Sequence, residues 1–442
     1  MREIDLDADL AALDEPAPIL VGAGDGDDDA APALSPPPVQ IAADHAAPMT
    51  IDAFRAAVVA DLADRMAMFA QHRVERPLAV KPSREERLLA QLDAIVATGR
   101  RARADLLAWW AKALPEQPWS LWAVLFTLTS LPGPEGLILA LDLVEALPDD
   151  DAERARIATE ALLVAPHPGM DALLRDLLAS PRAAARAVGI EVASRRRAVP
   201  LDRLTRTLDE ADPLPLAAAI RAVARAPEIR AVPEPIRAEL RNPDRGVVWE
   251  ATRAIARAHP REALEFVRDG GPIADALGPL VVEIFVMTGG IQDAPALGRL
   301  ARRYPMTPAL LDGLGRFGHA GAWAYLAHGL AEAELADAAA AALRTIFGDL
   351  VPSEAAFEAS AWRAAIARGH FDESKRLRGG APWTAAAVVG ECLSGALPRP
   401  AVERRLDELR ARTGIDAPCD LGLWTPDLEP QLSALSAAYG RA

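Results

Sequence analysis

The histidines of this 442-residue chain are the first candidates for metal or acid–base chemistry. Its seven histidines include no HExxH motif and no pair spaced by four residues, the spacing with which one helix presents two imidazoles to zinc. His319 and His328 stand nine residues apart, across a turn and a helix, so a metal pair is one interpretation. A turn histidine followed by a partly exposed helix histidine is the simpler one. We therefore expect no metal site and no cofactor.

Nucleophiles and phosphate-binding loops are weakly represented as well. The chain contains no GxSxG nucleophile elbow and no GxxxxGK[ST] loop. Cys392 lies in an apolar segment and Cys419 stands beside Asp420, and acidic neighbours raise a thiol pKa rather than activate the thiol. Two cysteines are also too few for a disulfide framework or a cysteine-based zinc site. These residues predict a protein that is not an enzyme and has no evident small-molecule substrate.

Basic residues are concentrated at a few points of an acidic chain. The formal net charge is −15, and residues 1–48 contain 11 acidic residues against one basic residue. The densest basic patch is Arg195–Arg197 with Arg203 and Arg206, and it could contact phosphates. Proteins that grip a phosphate backbone usually carry a basic surplus, so pairing with acids explains this patch better. We expect no nucleic-acid partner, and keep a nucleic-acid-binding HEAT-like module or a DNA-repair-type enzyme as the alternative.

Helices must position these side chains, because apolar residues recur at helical spacing through most of the chain. Ile51, Phe54, Val58 and Leu62 follow Thr50 at intervals of three and four residues, with Thr50 as a cap. Hydrophobic residues make up 51% of the sequence but aromatic residues only 5%. Alanine dominates the apolar share, and alanine has the highest helix propensity. The sequence therefore predicts an all-α protein.

A repeat organises the central part of the chain. Similar blocks begin 32 residues apart at Ala187, Ala219, Ala251 and Glu283, and prolines precede them at intervals of 29–33 residues. A capping side chain stands before the first three prolines, which predicts proline at the first helical position. Shorter helices are expected between the blocks at Met170–Leu178, Leu201–Leu208, Glu234–Leu240, Arg261–Val267 and Pro295–Arg302. One short and one longer helix per repeat predicts an α-solenoid of HEAT-like, armadillo-like hairpins.

Four regions follow from these patterns. Residues 1–48 should form an acidic, mostly disordered tail, because Gly, Asp and Pro without apolar spacing cannot offset their ordering entropy. Residues 49–165 form an N-terminal helical region, 166–348 the HEAT-like repeat solenoid, and 349–442 a helical cap over its open end. No apolar stretch reaches the about 18 residues of a membrane helix. The acidic start also differs from a signal peptide, so a cytoplasmic protein is expected.

Four features together carry a resemblance. They are the Glu85–Ala94 segment, the apolar Trp119–Leu131 helix, the central hairpins, and an Arg378-Gly379-Gly380-x-Pro382 turn leading on to Trp424. Over residues 50–435 the chain resembles a family of uncharacterised proteobacterial HEAT-repeat proteins that is common in myxobacteria. Members of that family are often encoded near type VI secretion components, which implies an accessory or adaptor role. The resemblance brings no catalytic activity and no site residue with it.

The function predicted from these observations is a non-catalytic scaffold or adaptor that binds another protein, with a type VI secretion system as its setting by resemblance. The longer helices of the repeats would line one face, and binding would depend on the shape of a pre-organised surface. Arginine and tryptophan are enriched where proteins bind one another. We expect partner contacts at Arg221, Trp249, Glu250 and Arg253.

Overall fold

The computed structural model describes residues 50–99, 101–114, 116–226 and 231–439. The acidic tail expected over residues 1–48 lies outside them. Helices provide nearly all regular structure of the described part, which confirms the predicted helical class. The exceptions there are an isolated bridge between Pro77 and Pro398 and two antiparallel two-residue strands, β1 (Leu377–Arg378) and β2 (Ala381–Pro382).

The chain begins with α1 (Ile51–Glu75), α2 (Lys81–Ala97), α3 (Ala102–Trp110) and α4 (Trp119–Leu128). It continues with α5 (Pro134–Glu145), α6 (Ala152–Leu163), α7 (Met170–Ala179), α8 (Ala183–Arg195), α9 (Leu201–Arg206), α10 (Pro213–Arg225), α11 (Glu234–Ala238) and α12 (Arg245–Ala258). The next helices are α13 (Pro260–Arg268), α14 (Pro272–Leu277), α15 (Val281–Thr288), α16 (Ala294–Ala301), α17 (Pro308–Phe317), α18 (Trp323–Gly329) and α19 (Ala336–Phe347). The C-terminal part adds α20 (Ala359–Arg368), α21 (Ala385–Leu393), α22 (Arg399–Thr413) and α23 (Thr425–Tyr439).

Eight of these helices pack in chain order into one row, which we call the middle row: α4, α6, α8, α10, α12, α15, α17 and α19. Shorter helices between them pack onto the row, as α7 does on α8 and α18 on α19. The apolar core follows the row in three successive clusters, within residues 59–193, 187–254 and mainly 248–377. Such sequential packing is consistent with a helical repeat array, in which each pair hides its apolar stripe against the next.

The prolines of the repeat mark the turns before helices, and only some of them begin a helix. Asp212–Pro213 fits the expectation, since Pro213 is the first residue of α10. Helix α8 instead begins two residues after Pro181, and α12 begins two residues after Pro243. The cap of α12 is Asp244, whose carboxylate accepts a hydrogen bond from Val247 N at 3.0 Å.

Two glycines set the spacing of α17 between its neighbours in the row. A Cβ atom at Gly313 would come within 2.6 Å of a methyl carbon of Val282 on α15. A Cβ atom at Gly315 would lie 2.8 Å from Ala342 Cα on α19. The residues from Gly313 to Gly318 match the string GxGxxG, but they lie in and just after a helix and follow no strand. They therefore serve close helix packing and do not form a dinucleotide-binding turn.

Residues 397–439, here called the C-terminal region, lie along the middle row. Helix α22 packs against α12 and α15 and also reaches α1, while α23 packs against α2. Arg73 on α1 donates to the carbonyl oxygens of Gly422 and Leu423 at 2.7 and 2.8 Å. The sequence predicts a cap at the end of the array, whereas these contacts extend from its beginning past its middle. The described residues belong to one compact unit.

Candidate functional site

A wide cleft opens between the middle row and the C-terminal region. Helices α6, α8, α10 and α12 form one wall, and α22, the loop 414–424 and α23 form the other. Its volume is about 1240 Å³, which exceeds the about 300–1,000 Å³ of typical small-molecule sites. Among the described residues, nine arginines and seven carboxylates line the cleft, so these walls carry a positive surplus although the whole chain is acidic.

Glu160 on α6 connects the middle row to the C-terminal region. It is 3% exposed, and it accepts from Arg195 on α8 at 3.1 Å and from Arg399 at the start of α22 at 2.8 Å. Arg195 also donates to Asp420 in the opposite wall at 2.9 Å. Charge-assisted hydrogen bonds of this kind are short and strong, so they fix the two walls relative to each other.

A second set of ion pairs runs across α8, α10 and α12. Glu191 on α8 pairs with Arg221 and, at 2.6 Å, with Arg225, both on α10. Arg221 also reaches Glu250 on α12 at 3.2 Å, and Glu250 pairs with Arg253 at 3.4 Å. Charges of opposite sign therefore alternate from helix to helix along this wall.

Asp407 on α22 completes the set from the opposite wall. Its carboxylate accepts from Arg253 Nε at 2.7 Å and pairs with Arg257, and both arginines belong to α12. Burial alone would raise the pKa of Asp407, but Arg253 and Arg257 outweigh burial and hold that pKa below its ordinary value. The Asp407 carboxylate therefore stays ionised and acts as a bridge between walls.

The buried glutamates of the cleft behave in the same way. Burial opposes their charged form, but Arg399 and Arg195 lower the pKa of Glu160, and Arg225 and Arg221 lower the pKa of Glu191. A general acid or base works best with a pKa near the operating pH. These glutamates therefore bind guanidinium groups and exchange no protons near neutral pH.

The four residues expected at a partner interface fall into two places. Arg221 and Arg253 line the cleft, and the buried Glu250 side chain holds both of them. Trp249 does not line the cleft and packs, partly buried, against the apolar cluster of residues 248–377. The structure thus brings three of the four together and separates Trp249 from them.

Residues that the sequence analysis did not single out complete the cleft. Arg225 and Arg257 stand four residues after Arg221 and Arg253, in the last turns of α10 and α12. This repeated arginine pair, 32 residues apart, is a signal that could have been read from the sequence. No local pattern identifies Asp407 as their partner, because 154 residues separate it from Arg253.

The arginine triplet is mostly engaged within the protein. Arg195 is held by Glu160 and Asp420, and Arg196 Nη1 donates to the carbonyl oxygens of Leu162, Leu163 and Ala165 at 2.9–3.1 Å. These carbonyls belong to the C-terminal end of α6, where a cation is favoured. Only Arg197 of the three is exposed to solvent, so little of the triplet is available to a phosphate backbone.

The two cysteines lie in one apolar cluster with Val402 and Leu428. Burial raises the pKa of Cys392 and of Cys419 to about 12, and a thiol at such a pKa is a poor nucleophile. Within the described ranges, no three His, Cys, Asp or Glu side chains lie where they could share a metal ion.

Comparisons with protein-family models, with curated proteins and with solved structures found no match. In the part of the chain that the structure describes, no single helix is long and apolar enough to cross a membrane. The bent pair Pro260–Arg268 and Pro272–Thr288 meets that test by length and composition when taken together.

We expect acid to destabilise the protein through the carboxylates of the cleft. Glu160, Glu191, Asp407 and Asp420 all have a pKa below its ordinary value in the folded chain. The unfolded chain binds more protons than the folded chain as pH falls, so this stabilisation is complete above about pH 4.5 and is lost progressively below it. Urea unfolding followed by circular dichroism at pH 7, 5, 4 and 3 should show a midpoint that drops only at the two lower values. A midpoint independent of pH down to pH 3 would contradict the expectation.

Proposed function

We propose that this chain is a non-catalytic scaffold or adaptor that holds a segment of a partner protein in the cleft between the middle row and the C-terminal region. The observation that carries the proposal is the cleft itself, with its volume of about 1240 Å³ and its mixture of arginines, carboxylates and apolar side chains. The Arg399–Glu160 and Arg253–Asp407 ion pairs already fix its two walls to each other. A pre-organised site of this kind loses little conformational entropy when a partner binds.

We also infer that the helix pairs of the array are HEAT-like hairpins of an α-solenoid. The 32-residue blocks of the sequence and the sequential packing of α8, α10 and α12 support this interpretation. Solenoids commonly bind partners along an extended face built by successive repeats. In this chain the C-terminal region covers part of that face, and the uncovered part forms the cleft.

We further propose an accessory role in a type VI secretion system. The resemblance of residues 50–435 to proteobacterial HEAT-repeat proteins often encoded near such systems is its support. A partner of the scaffold would then be a component of that machinery.

The proposed function is tested by filling the cleft. Ser194 lines it, so Ser194→Trp should occupy part of its volume, while Asp176→Trp places the same side chain on the exposed surface of α7. Tagged full-length wild type and both variants would be used to capture proteins from the cells that make the chain, with mass spectrometry as the readout. We expect a protein that wild type and Asp176→Trp retain and that Ser194→Trp loses.

Two results would contradict the scaffold proposal. One is an identical set of captured proteins, or none, for all three chains. The other is retention of the wild-type chain on immobilised DNA that weakens steeply with salt and with Arg197→Gln, which would favour the nucleic-acid alternative.

A further inference from the structure

Four arginines of the cleft share three carboxylates. Among the described residues, only Glu191, Glu250 and Asp407 form ion pairs with Arg221, Arg225, Arg253 and Arg257. The set therefore keeps one positive charge in excess, on two adjacent helices that face the cleft. An uncompensated charge in a largely buried place is costly, and an added anion would relieve it.

The excess is concentrated at Arg225 and Arg257. Each makes one ion pair, Arg225 with Glu191 and Arg257 with Asp407, whereas Arg221 and Arg253 make two each. Only 10% of the Arg257 side chain is exposed, and its buried Nε donates to no atom of the described residues. The Arg225 side chain is 36% exposed, so a ligand can reach it from the cleft.

Repulsion between Arg225 and Arg257 agrees with an excess of positive charge at this point of the cleft. Burial lowers the pKa of Arg257 to about 10; Asp407 opposes that effect, and both Arg253 and Arg225 add to it. An arginine in the last turn of a helix usually interacts with the terminal carbonyls of its own helix. Arg225 and Arg257 instead pair with carboxylates on other helices, and both arginines line the cleft.

We propose that Arg225 and Arg257 form a binding site for one carboxylate of a partner peptide, with apolar side chains of the same peptide beside that carboxylate. This inference rests on the proposed function and names the chemistry of the segment that is bound. Val199, Leu214 and Leu406 are partly exposed, also line the cleft and would contact the apolar side chains. The carboxylate can come from an aspartate or glutamate side chain or from a chain terminus.

The lining also argues for a single carboxylate over a run of phosphates. Glu75, Glu403, Asp416 and Asp420 stand in the same cleft and would repel a polyanion. A short segment that carries one acidic group among apolar residues avoids this repulsion. A nucleic acid, with a charge on every nucleotide, does not.

The test uses the purified full-length chain and a positional library of fluorescent hexapeptides, one set amidated and one with a free C-terminal carboxylate. We expect binding to require a carboxylate, supplied by Asp or Glu in the amidated set or by the terminus in the other. Changing the preferred Asp to Asn should weaken binding about tenfold or more, as expected for the loss of a charge-assisted hydrogen bond. Fluorescence anisotropy measures the change.

Arg225→Gln is the decisive variant, because the Arg225 side chain is partly exposed and its replacement leaves Glu191 still paired with Arg221. It should bind the Asp and Asn peptides equally, and Arg257→Gln should behave in the same way. Arg206→Gln is the matched control, since Arg206 is 78% exposed, pairs with Asp202 and does not line the cleft. Circular dichroism spectra of all three variants establish that they are folded.

The proposed carboxylate-binding site is overturned if the best peptides contain no acidic group, or if Arg225→Gln keeps its preference for Asp over Asn. Stronger competition by inorganic phosphate or a single-stranded oligonucleotide than by acidic peptides would also overturn it. The scaffold proposal fails separately, since it requires a captured protein that Ser194→Trp loses. A protein lost by Ser194→Trp but retained by Arg225→Gln would support the scaffold proposal and contradict the carboxylate-binding site.

Discussion

Replacing Arg376 with methionine should reduce the free energy of unfolding by about 3–5 kcal/mol, the usual cost of breaking a buried charge network. Its guanidinium is 4% exposed and donates to the carbonyl oxygens of Phe317 at 2.6 Å, of Arg316 at 3.0 Å, and of Val286 and Gly289 at 3.1 Å. These carbonyls end α15 and α17, two neighbouring helices of the middle row. Methionine has a similar length but no donor, so it would leave all of them without this partner.

Lys375→Met is the matched control for Arg376→Met. Lys375 is adjacent in sequence but 57% exposed, and its ion pair with Asp372 at 3.3 Å lies at the surface. Such a surface substitution usually changes stability by no more than about 0.5 kcal/mol. Urea unfolding followed by circular dichroism would compare the two. Equal unfolding midpoints for both variants would show that Arg376 does not hold the helix ends together.

The second large effect is expected at Glu160. Glu160→Gln removes the negative charge between Arg195 and Arg399, so two largely buried guanidiniums face each other without it. We expect a loss of about 3–5 kcal/mol, for the same reason as at Arg376. Because Arg399 begins α22, hydrogen exchange should also speed up in residues 397–439 before it does in α4 or α10.

Glu153→Gln provides the comparison on the same helix. Its side chain is 63% exposed, and among the described residues it pairs only with Arg156, at 3.6 Å. We expect unchanged stability and unchanged exchange in that variant. If Glu160→Gln loosened α4 and α10 as much as the C-terminal region, the contact would support general stability and would not specifically fix the second wall of the cleft.

Local patterns predicted the helices of the array closely. The helix expected over Arg261–Val267 is Pro260–Arg268 in the structure, and that expected over Pro295–Arg302 is Ala294–Ala301. Helical spacing of apolar residues and the prolines at the turns act within a few residues, so they can be read from the sequence. The contacts of the C-terminal region depend on residues more than 100 positions away, and no local signal carries that information.

The candidate site shows, within the single helix α12, which residues helical spacing groups together and which it separates. Glu250 and Arg253 are three residues apart, so they share a face of α12 and pair with each other. Trp249 precedes Glu250 by one residue, and neighbours in a helix point about 100° apart. That rotation turns the Trp249 side chain away from the cleft and into contact with the apolar cluster. Arg257, four residues after Arg253, lines the cleft together with it.

The bond from Arg73 to Leu423 also has a consequence for synthesis of the protein on the ribosome. Its two residues are 350 positions apart, so α1 emerges long before the carbonyl that it will bind has been made. At about 5–20 residues per second, that delay is on the order of 20–70 s. Repeat arrays usually gain stability as each unit joins its neighbour. Here Gly422 and Leu423 supply contacts to α1 only after that delay. The side chain of Arg73, which is buried in the folded protein, therefore stays hydrated in the nascent chain until then.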